Sequence, residues 1–453
     1  MNEKKTGENF LEGSILKTML STGIAMIPAT LAMSLFHIVD TYFVGKLGLE
    51  ALAAMGFCFP IVNFISCIYH SISTAVMTLL SHALGRKDEE DAARVVLHGI
   101  IFMLIIAIVL GFAGALLCRP LFGLWVETPE VLDYVVQFMV IWFLGNFSIS
   151  LCMCGHKLVL SLGYAKAAAN WMLLGLVLNA ILEPIFIFGF GIIPPLEMYG
   201  AAIATVIAQS VTPIGCLYII NKRLNLWSKR TNIGLHWREN VTRITKYSIP
   251  VLLGMIIMPV AGFIMTSMAQ HFGDNVVAAM SCISRIETLA FVVPMSIGMA
   301  LVPMFAQNYG AKQFERIDKI RKMAQSFALV FLLIVAVLYT IFAQNLIGIF
   351  TDDPEVLSIG AFGLIVICWG YAAQEVHRFG TFLYNGCNRP GPSAFFNIIK
   401  IFVFMVPLCA LCLVFDDVNW IFYGRLIGEI LAAIMLVYFS RRLVKRLIAG
   451  TEK

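Results

Sequence analysis

Trp125–Val131 reads WVETPEV, and Phe350–Val356 reads FTDDPEV, 225 positions further along the chain. The same offset relates short matches elsewhere: Gly48 with Gly273, Ala54-Met55 with Ala279-Met280, Ala75 with Ala300, and Gly85-Arg86-Lys87 with Gly310-Ala311-Lys312. A single register that holds at several separate places indicates an internal duplication. The two halves of the chain are therefore predicted to have the same fold.

The composition indicates a membrane protein. Of the 453 residues, 60% are hydrophobic and only 13% are charged, whereas a soluble domain is nearer half apolar and a quarter charged. The charges cluster between apolar runs, each long enough to cross a hydrocarbon layer of ~30 Å. The runs are continuous and lack period-two alternation, which favours helices over a barrel. We predict an all-α integral membrane protein with about 12 transmembrane helices in two pseudo-symmetric six-helix bundles.

The predicted helices are 16–44, 51–81, 94–118, 131–155, 166–190, 199–221, 245–271, 276–306, 322–349, 356–384, 393–415 and 419–440. They divide the chain into an N-lobe (1–221), a basic cytoplasmic linker (222–244), and a C-lobe with a basic tail (245–453). Transporters that alternate access across the membrane are commonly built from such repeats.

The distribution of charged residues among the loops predicts the orientation of the chain in the membrane. Lys222–Lys246 contains seven basic residues, whereas the loops on the opposite side are acidic, as at Asp352 and Asp353. The positive-inside rule then places both termini in the cytoplasm. The N-terminus lacks a signal-peptide cleavage site, so the first helix is expected to stay in the protein. Because basic and acidic loops alternate, we interpret the basic loops as topology signals and expect no nucleic-acid partner.

Motifs for nucleotide hydrolysis and hydrolase chemistry are missing from the sequence. It contains no GxxxxGK[ST], GxSxG or HExxH. We therefore predict no enzyme activity and no cofactor, with any uphill transport driven by an ion gradient or by a separate subunit. The eleven cysteines are interpreted as small apolar residues, because no ligand spacing supports zinc.

Polar side chains inside the N-lobe helices form the main candidate site, because an ionisable group in a membrane span is costly. Asp40 lies on the first helix, Asn179 and Glu183 lie one turn apart on the fifth, and Thr205 lies on the sixth. At 1.5 Å per residue, Asp40, Glu183 and Thr205 lie about 6–10 Å inside the outer ends of their helices. Two carboxyls with neutral oxygens suit a proton or Na⁺. A hydrogen-bond network that only joins helices remains the alternative.

Further candidates share these helices or occupy the second half. The predicted substrate-cavity residues are Met33, His37, Met172, Glu287 and Glu375. Ala201, one turn before Thr205, is a further ion-coupling candidate, and Pro28 is the candidate hinge. Flexible thioethers suit varied lipophilic cations. Arg285 and Arg378 are identified as the intramembrane arginines of the second half, and ion pairs with neighbouring acids are expected there.

Over nearly its whole length the chain resembles the multidrug and toxic compound extrusion (MATE) family. The resemblance is carried, in order, by DTYFVGKLG from Asp40, SHALGRKDEEDA from Ser81, LNAILEPIFIFGFG from Leu178, YGAAIATVIAQ from Tyr199 and VPMFAQNYGAKQFERI from Val302. It implies two six-helix lobes around a large cavity, exporting organic cations in exchange for H⁺ or Na⁺.

The resemblance also implies a cation site. In prokaryotic members this site uses an Asp, an Asn, a second Asp and a Thr, which fall by position on Asp40, Asn179, Glu183 and Thr205. The chain departs from this pattern by having Glu at 183. For a C-lobe acid, the resemblance leaves Glu287 and Glu375 as candidates.

We therefore predict a monomeric multidrug antiporter of a prokaryotic cytoplasmic membrane that exports lipophilic or organic cations in exchange for H⁺ or Na⁺. One alternative is a flippase for lipids or lipid-linked oligosaccharides, which would favour a strongly cationic cavity. A second alternative is a membrane scaffold that transports nothing.

Overall fold

The structure is a computed structural model that describes residues 9–226 and 236–451, except the side chains of Ser34 and His37. Within these residues, twelve helices are long and apolar enough to cross a membrane. They are α1 (Ile15–Gly45), α2 (Leu49–Gly85), α3 (Glu89–Phe122), α4 (Pro129–Ser161), α5 (Ala165–Phe188), α6 (Glu197–Leu224), α7 (Trp237–Gln270), α8 (Asp274–Gly310), α9 (Phe314–Gly348), α10 (Pro354–Gly386), α11 (Pro390–Phe415) and α12 (Asn419–Ile448). The predicted all-α membrane fold is confirmed.

Most helices are longer than predicted, mainly at their charged ends. α7 begins at Trp237 instead of 245, α9 begins at Phe314 instead of 322, and α12 continues to Ile448 instead of 440. Charged residues interrupt an apolar run, but Lys, Arg and Glu are good helix formers. Hydropathy therefore marks where a helix leaves the hydrocarbon layer and not where the helix ends.

The duplicated segments Trp125–Val131 and Phe350–Val356 each contain the start of a helix. Pro129 lies in the first turn of α4, and Pro354 lies in the first turn of α10. Proline is favoured there because the first turn needs no N–H donor. In the second copy, Asp353 accepts hydrogen bonds from the backbone N–H groups of Glu355 and Val356, at 2.9 and 3.1 Å. The repeat thus preserves the geometry with which a helix begins.

The chain forms two compact units. One contains Ile24–Ser248, and the other contains Phe10–Gly23 with Ile249–Lys453. From here on, N-lobe and C-lobe mean these two units, whose bounds differ from the predicted ones because each unit takes part of a helix from the other repeat. α1 and α7 are each divided between the lobes, because α1 begins in the C-lobe and α7 begins in the N-lobe. Residues 227–235 of the predicted linker lie outside the described residues.

In the N-lobe, α4 packs against α2, α3 and α6, and α5 packs against α6. A Cβ atom at Gly215 would lie 2.0 Å from the Trp171 ring, so only glycine allows this approach of α6 to α5. Small residues commonly permit such contacts between membrane helices. The start of α7 is joined to α2 by a hydrogen bond of 3.1 Å between the hydroxyl groups of Tyr247 and Thr78.

In the C-lobe, three membrane helices are locally irregular, and one of them is α9, which has non-helical backbone angles at Phe342. α10 contains a 3₁₀ turn at Cys368–Gly370, and α11 contains a π-helical segment at Ile399–Met405. Such turns within helices are frequent at functional sites. Those in α10 and α11 occur beside the charged residues described below.

The segment Phe10–Gly23, which includes the first part of α1, completes the C-lobe core. Phe10, Ile15 and Met19 are buried in one apolar cluster with residues of α8, α9, α10 and α12. The Asn308 amide donates a hydrogen bond of 3.0 Å to the backbone carbonyl of Phe10. The Arg316 guanidinium donates to the carbonyls of Gly13 and Glu12, at 3.1 and 3.0 Å.

Candidate functional site

Asn179 and Glu183 form a buried pair on α5. The Asn179 Nδ2 donates a hydrogen bond of 3.0 Å to Glu183 Oε1, and both residues are 0% exposed. Residues four positions apart lie on the same face of a helix, so the local sequence alone allows this contact. The bond orients the Glu183 carboxyl and occupies one of its oxygens.

Asp40 of α1 reaches the same place. Its side chain is nearly buried and lies close enough to Glu183 and Asn179 to interact electrostatically with both. Two ionised carboxylates at this distance repel each other, so the contact needs a shared proton or a bound cation. The approach of α1 to α5 therefore brings together two carboxyl groups whose charge is offset only when a proton or a cation is bound between them.

Thr205 of α6 is also buried, and Ala201 is buried one turn before it. Each of the four polar residues leaves one oxygen without a hydrogen-bond partner among the described residues: Asp40 Oδ1, Asn179 Oδ1, Glu183 Oε2 and Thr205 Oγ1. Buried polar atoms normally have partners. Such oxygens are suitable ligands for a hard cation or for a proton-carrying water. The structure thus places all five predicted ion-coupling residues, including Ala201, in buried positions and brings Asp40 close to Asn179 and Glu183.

A cavity of about 170 Å³ within the N-lobe adjoins this group. Asp40 and Thr205 line it, and Asp40 is its one carboxylate among the described residues. Most other lining residues are apolar, and they include the predicted Met33 and Met172 as well as Trp142. An apolar cavity with one acidic group suits a lipophilic cation. The side chain of the predicted cavity residue His37 lies outside the described residues.

Pro28 lies inside α1, five residues after Gly23, the last α1 residue that belongs to the C-lobe. A proline has no N–H, so Pro28 cannot complete the helical hydrogen bond to the carbonyl of Ile24. The missing bond falls where α1 passes from one lobe to the other. The hinge role remains a prediction, and this location supports it.

The two predicted C-lobe acids occupy different environments. Glu287 lines a cavity of about 610 Å³ within the C-lobe. Glu375 is completely buried and is not part of the cavity lining. Glu287 is paired with Arg425, and Glu375 with Arg378.

Sequence reasoning missed several bases in the membrane helices. Arg285 and Arg378 are not the only intramembrane arginines, because Arg425 lies within α12. Lys157 on α4 and Lys400 on α11 are also buried. Each of these charged residues lies in a strongly apolar stretch. The mean hydropathy over about twenty residues therefore stays high and does not reveal the single charge. A search for individual Lys and Arg residues inside the predicted spans would have found Arg425 and Lys400, whereas Lys157 lies just beyond the predicted end of the fourth helix.

Lys157 has no acidic partner among the described residues, and its hydrogen bonds connect two helices. Its Nζ donates to the His70 carbonyl at 3.0 Å and to Thr74 Oγ1 at 2.9 Å. A buried ammonium needs such acceptors to offset its lost hydration. The bonds join α4 to α2.

Comparison with known proteins agrees with this architecture. The MatE family model matches residues 25–185 and 250–411, one segment in each repeated half. The chain is 30% identical over 451 residues to a protein of Shewanella oneidensis named as an FAD transporter, covering 99% of both chains. It is 24% identical to the multidrug export protein MepA of Staphylococcus aureus, covering 95% of each.

A solved structure has the same fold. The bent form of the Vibrio cholerae MATE transporter VcmN matches with a TM-score of 0.90 and 26% identity, covering 96% of this chain and 98% of that one. The family match spans both halves and more than half of the chain. The protein therefore belongs to the MATE family of multi-pass membrane transporters.

Proposed function

We propose that this protein is an ion-coupled antiporter that exports lipophilic organic cations in exchange for H⁺ or Na⁺. It would act as a monomer in the cytoplasmic membrane, with both termini in the cytoplasm and no cofactor apart from the coupling ion. The observation that carries this proposal is the set of four buried oxygens without partners on Asp40, Asn179, Glu183 and Thr205. The name of the S. aureus relative, a multidrug export protein, supports the direction of transport.

The position of Asp40 explains why the coupling ion would be exchanged for the substrate. Its carboxyl both lines the apolar N-lobe cavity and lies within reach of Glu183. A proton or Na⁺ at the acidic pair would neutralise the one carboxylate that attracts a cation into the cavity. Ion and substrate then compete for Asp40. The ion drives export because its affinity differs between the inward-open and the outward-open conformation.

Reconstituted protein tests the proposal directly. Liposomes with the purified protein are loaded with a fluorescent lipophilic cation, and its transport is followed under an imposed pH gradient and, separately, a sodium gradient. We expect one gradient to drive transport and Asp40→Asn to reduce it to the level of protein-free liposomes. Asp133→Asn is the control, because that carboxylate is 54% exposed and pairs with Arg119 at the end of α3. Transport by Asp40→Asn at the unchanged rate would contradict the proposal.

A second candidate substrate is a flavin dinucleotide. It is favoured by the 30% identity, over nearly the whole of both chains, to the relative named as an FAD transporter. The same liposomes loaded with FAD would test it, since flavin fluorescence reports release. Ion-driven release of FAD without release of lipophilic cations would replace the first substrate class by the second and leave the ion site in place.

A further inference from the structure

The acids around the C-lobe cavity are all paired with bases. Glu287 pairs with Arg425, and Lys400 Nζ lies 2.8 Å from Glu429 Oε2. Behind the cavity wall, Arg378 lies 3.0 Å from Glu375. Each pair therefore brings no net charge to the cavity when both members are ionised.

Arg285 is the remaining base. It lines the same cavity from α8 and is exposed. Within residues 9–226 and 236–451 no carboxylate lies within ion-pair distance of it. Its guanidinium carbon lies 5.8 Å from the centre of the Phe350 ring. Contact with an aromatic face leaves the N–H donors at the edge of the guanidinium free to bind a ligand. Because arginine stays protonated in proteins, the cavity keeps one positive charge.

The paired bases are less available for a ligand than Arg285. The side chains of Lys400 and Glu429 are 8% and 5% exposed. Lys400 lies in the π-helical segment of α11, which fixes it beside α12. Breaking a buried pair is expensive because it leaves an uncompensated charge. An incoming anion would therefore be held at Arg285 first.

Much of the remaining cavity lining is apolar and adaptable. Its lining includes four methionines and one phenylalanine: Met258, Met265, Met280, Met405 and Phe422. Flexible thioethers fit varied flat or irregular groups. A cavity of about 610 Å³ is within the range of small-molecule sites.

We propose that the C-lobe cavity binds an amphiphilic anion, whose phosphate is held by Arg285 and whose aromatic or aliphatic body lies against the methionines. The inference rests on the proposed transport function and names a second substrate class for it. A guanidinium matches phosphate oxygens with two parallel hydrogen bonds, which a lysine cannot reproduce. Because a phospholipid headgroup offers the same chemistry as a soluble phosphate ester, the test distinguishes the two sources.

Three flavins with one ring system provide the soluble probes. Riboflavin has no phosphate, FMN has one, and FAD has a pyrophosphate. Binding to the full chain in nanodiscs of neutral lipid is measured by quenching of flavin fluorescence. We expect the wild-type protein to bind FMN and FAD about tenfold or more tighter than riboflavin, as charge-assisted hydrogen bonds predict. Arg285→Gln should remove this preference and leave riboflavin binding unchanged.

Three further variants separate the possible causes. Arg442→Gln, an exposed arginine near the end of α12, should change nothing. Arg285→Lys keeps the charge and should restore only part of the preference. Asp40→Asn should keep FAD binding, so failure of the ion site would be visible as lost transport with intact binding. Melting temperatures show whether each variant folds.

The lipid arm uses native mass spectrometry of protein purified from cells. If Arg285→Gln loses a retained anionic phospholipid while the three flavins bind alike, the phosphate group comes from lipid, and the site is supported with that ligand. If the flavins bind alike and retained lipid is unchanged in Arg285→Gln, the proposed phosphate site is wrong.

Discussion

The carboxyl groups of Asp40 and Glu183 lie close enough for their charges to interact, although they belong to α1 and α5. Asn179 holds one oxygen of Glu183, which leaves the other facing the site without a partner. A proton or cation at this point joins two helices, and its departure leaves two like charges together. The contact can therefore convert ion occupancy into a force between α1 and α5.

Glu183→Gln should abolish ion-driven transport with little loss of stability. The amide keeps the shape of the side chain and a carbonyl that accepts the Asn179 bond, but it removes the charge that a coupling ion needs. Transport in liposomes and the melting temperature in detergent are the measurements.

Glu183→Asp is the matched variant for that change. It keeps the charge on a shorter side chain, so we expect partial transport and a weaker apparent ion affinity. Full transport by Glu183→Gln would show that the second carboxyl is not required.

Asn179→Leu should destabilise the protein. It removes the donor to Glu183 and leaves a buried acceptor unsatisfied, which costs about 1–3 kcal/mol. Thr205→Val provides the contrast, because Thr205 Oγ1 has no hydrogen-bond partner in the described part of the chain. That variant should keep its melting temperature but bind the coupling ion less tightly. Equal stability losses in both variants would contradict this division of roles.

Pro28→Ala should raise stability and slow transport. Alanine restores the N–H that can bond to the carbonyl of Ile24, and a proline in a helix interior costs about 3 kcal/mol. A stiffer α1 should resist the change of shape that transport requires. Melting temperature and initial transport rate are measured together.

Pro60→Ala is the control for the hinge, since Pro60 lies inside α2. We expect it to alter stability without a comparable loss of rate. An unchanged transport rate in Pro28→Ala would remove Pro28 from the mechanism.

Gly424→Ala should destabilise the C-lobe by about 1–3 kcal/mol through overpacking. A Cβ atom there would lie 2.4 Å from the backbone nitrogen of Cys409, so α11 and α12 would have to separate. Gly262→Ala is the matched control, because nothing lies within 4 Å of the added atom. Thermal unfolding of both variants in the same detergent distinguishes them, and equal melting temperatures would contradict the prediction.

The sequence predicts the membrane fold well because apolar runs and the repeat register are properties of the whole chain. It also groups Asp40, Asn179, Glu183 and Thr205, since helix rise and orientation place them at similar depths. Contact between particular side chains depends on helix rotation and packing, which hydropathy does not determine. The pairing of Arg425 with Glu287 therefore required the structure.

The division of α1 at Gly23 has no local sequence signal. The residues on both sides are apolar and helical, and only packing determines which lobe they join. The repeat pattern of the sequence therefore predicts that the whole of α1 belongs to the first lobe.

This division affects how the protein can be made. Phe10, Ile15 and Met19 are synthesised before the whole N-lobe, yet they belong to a core whose other members are completed last. More than two hundred residues are translated after this segment before the C-lobe residues that it packs against are made. A gene cut between the repeats would yield a carboxyl-terminal fragment without this part of its interior, so separately expressed halves should be poorly soluble unless the early segment is grafted back.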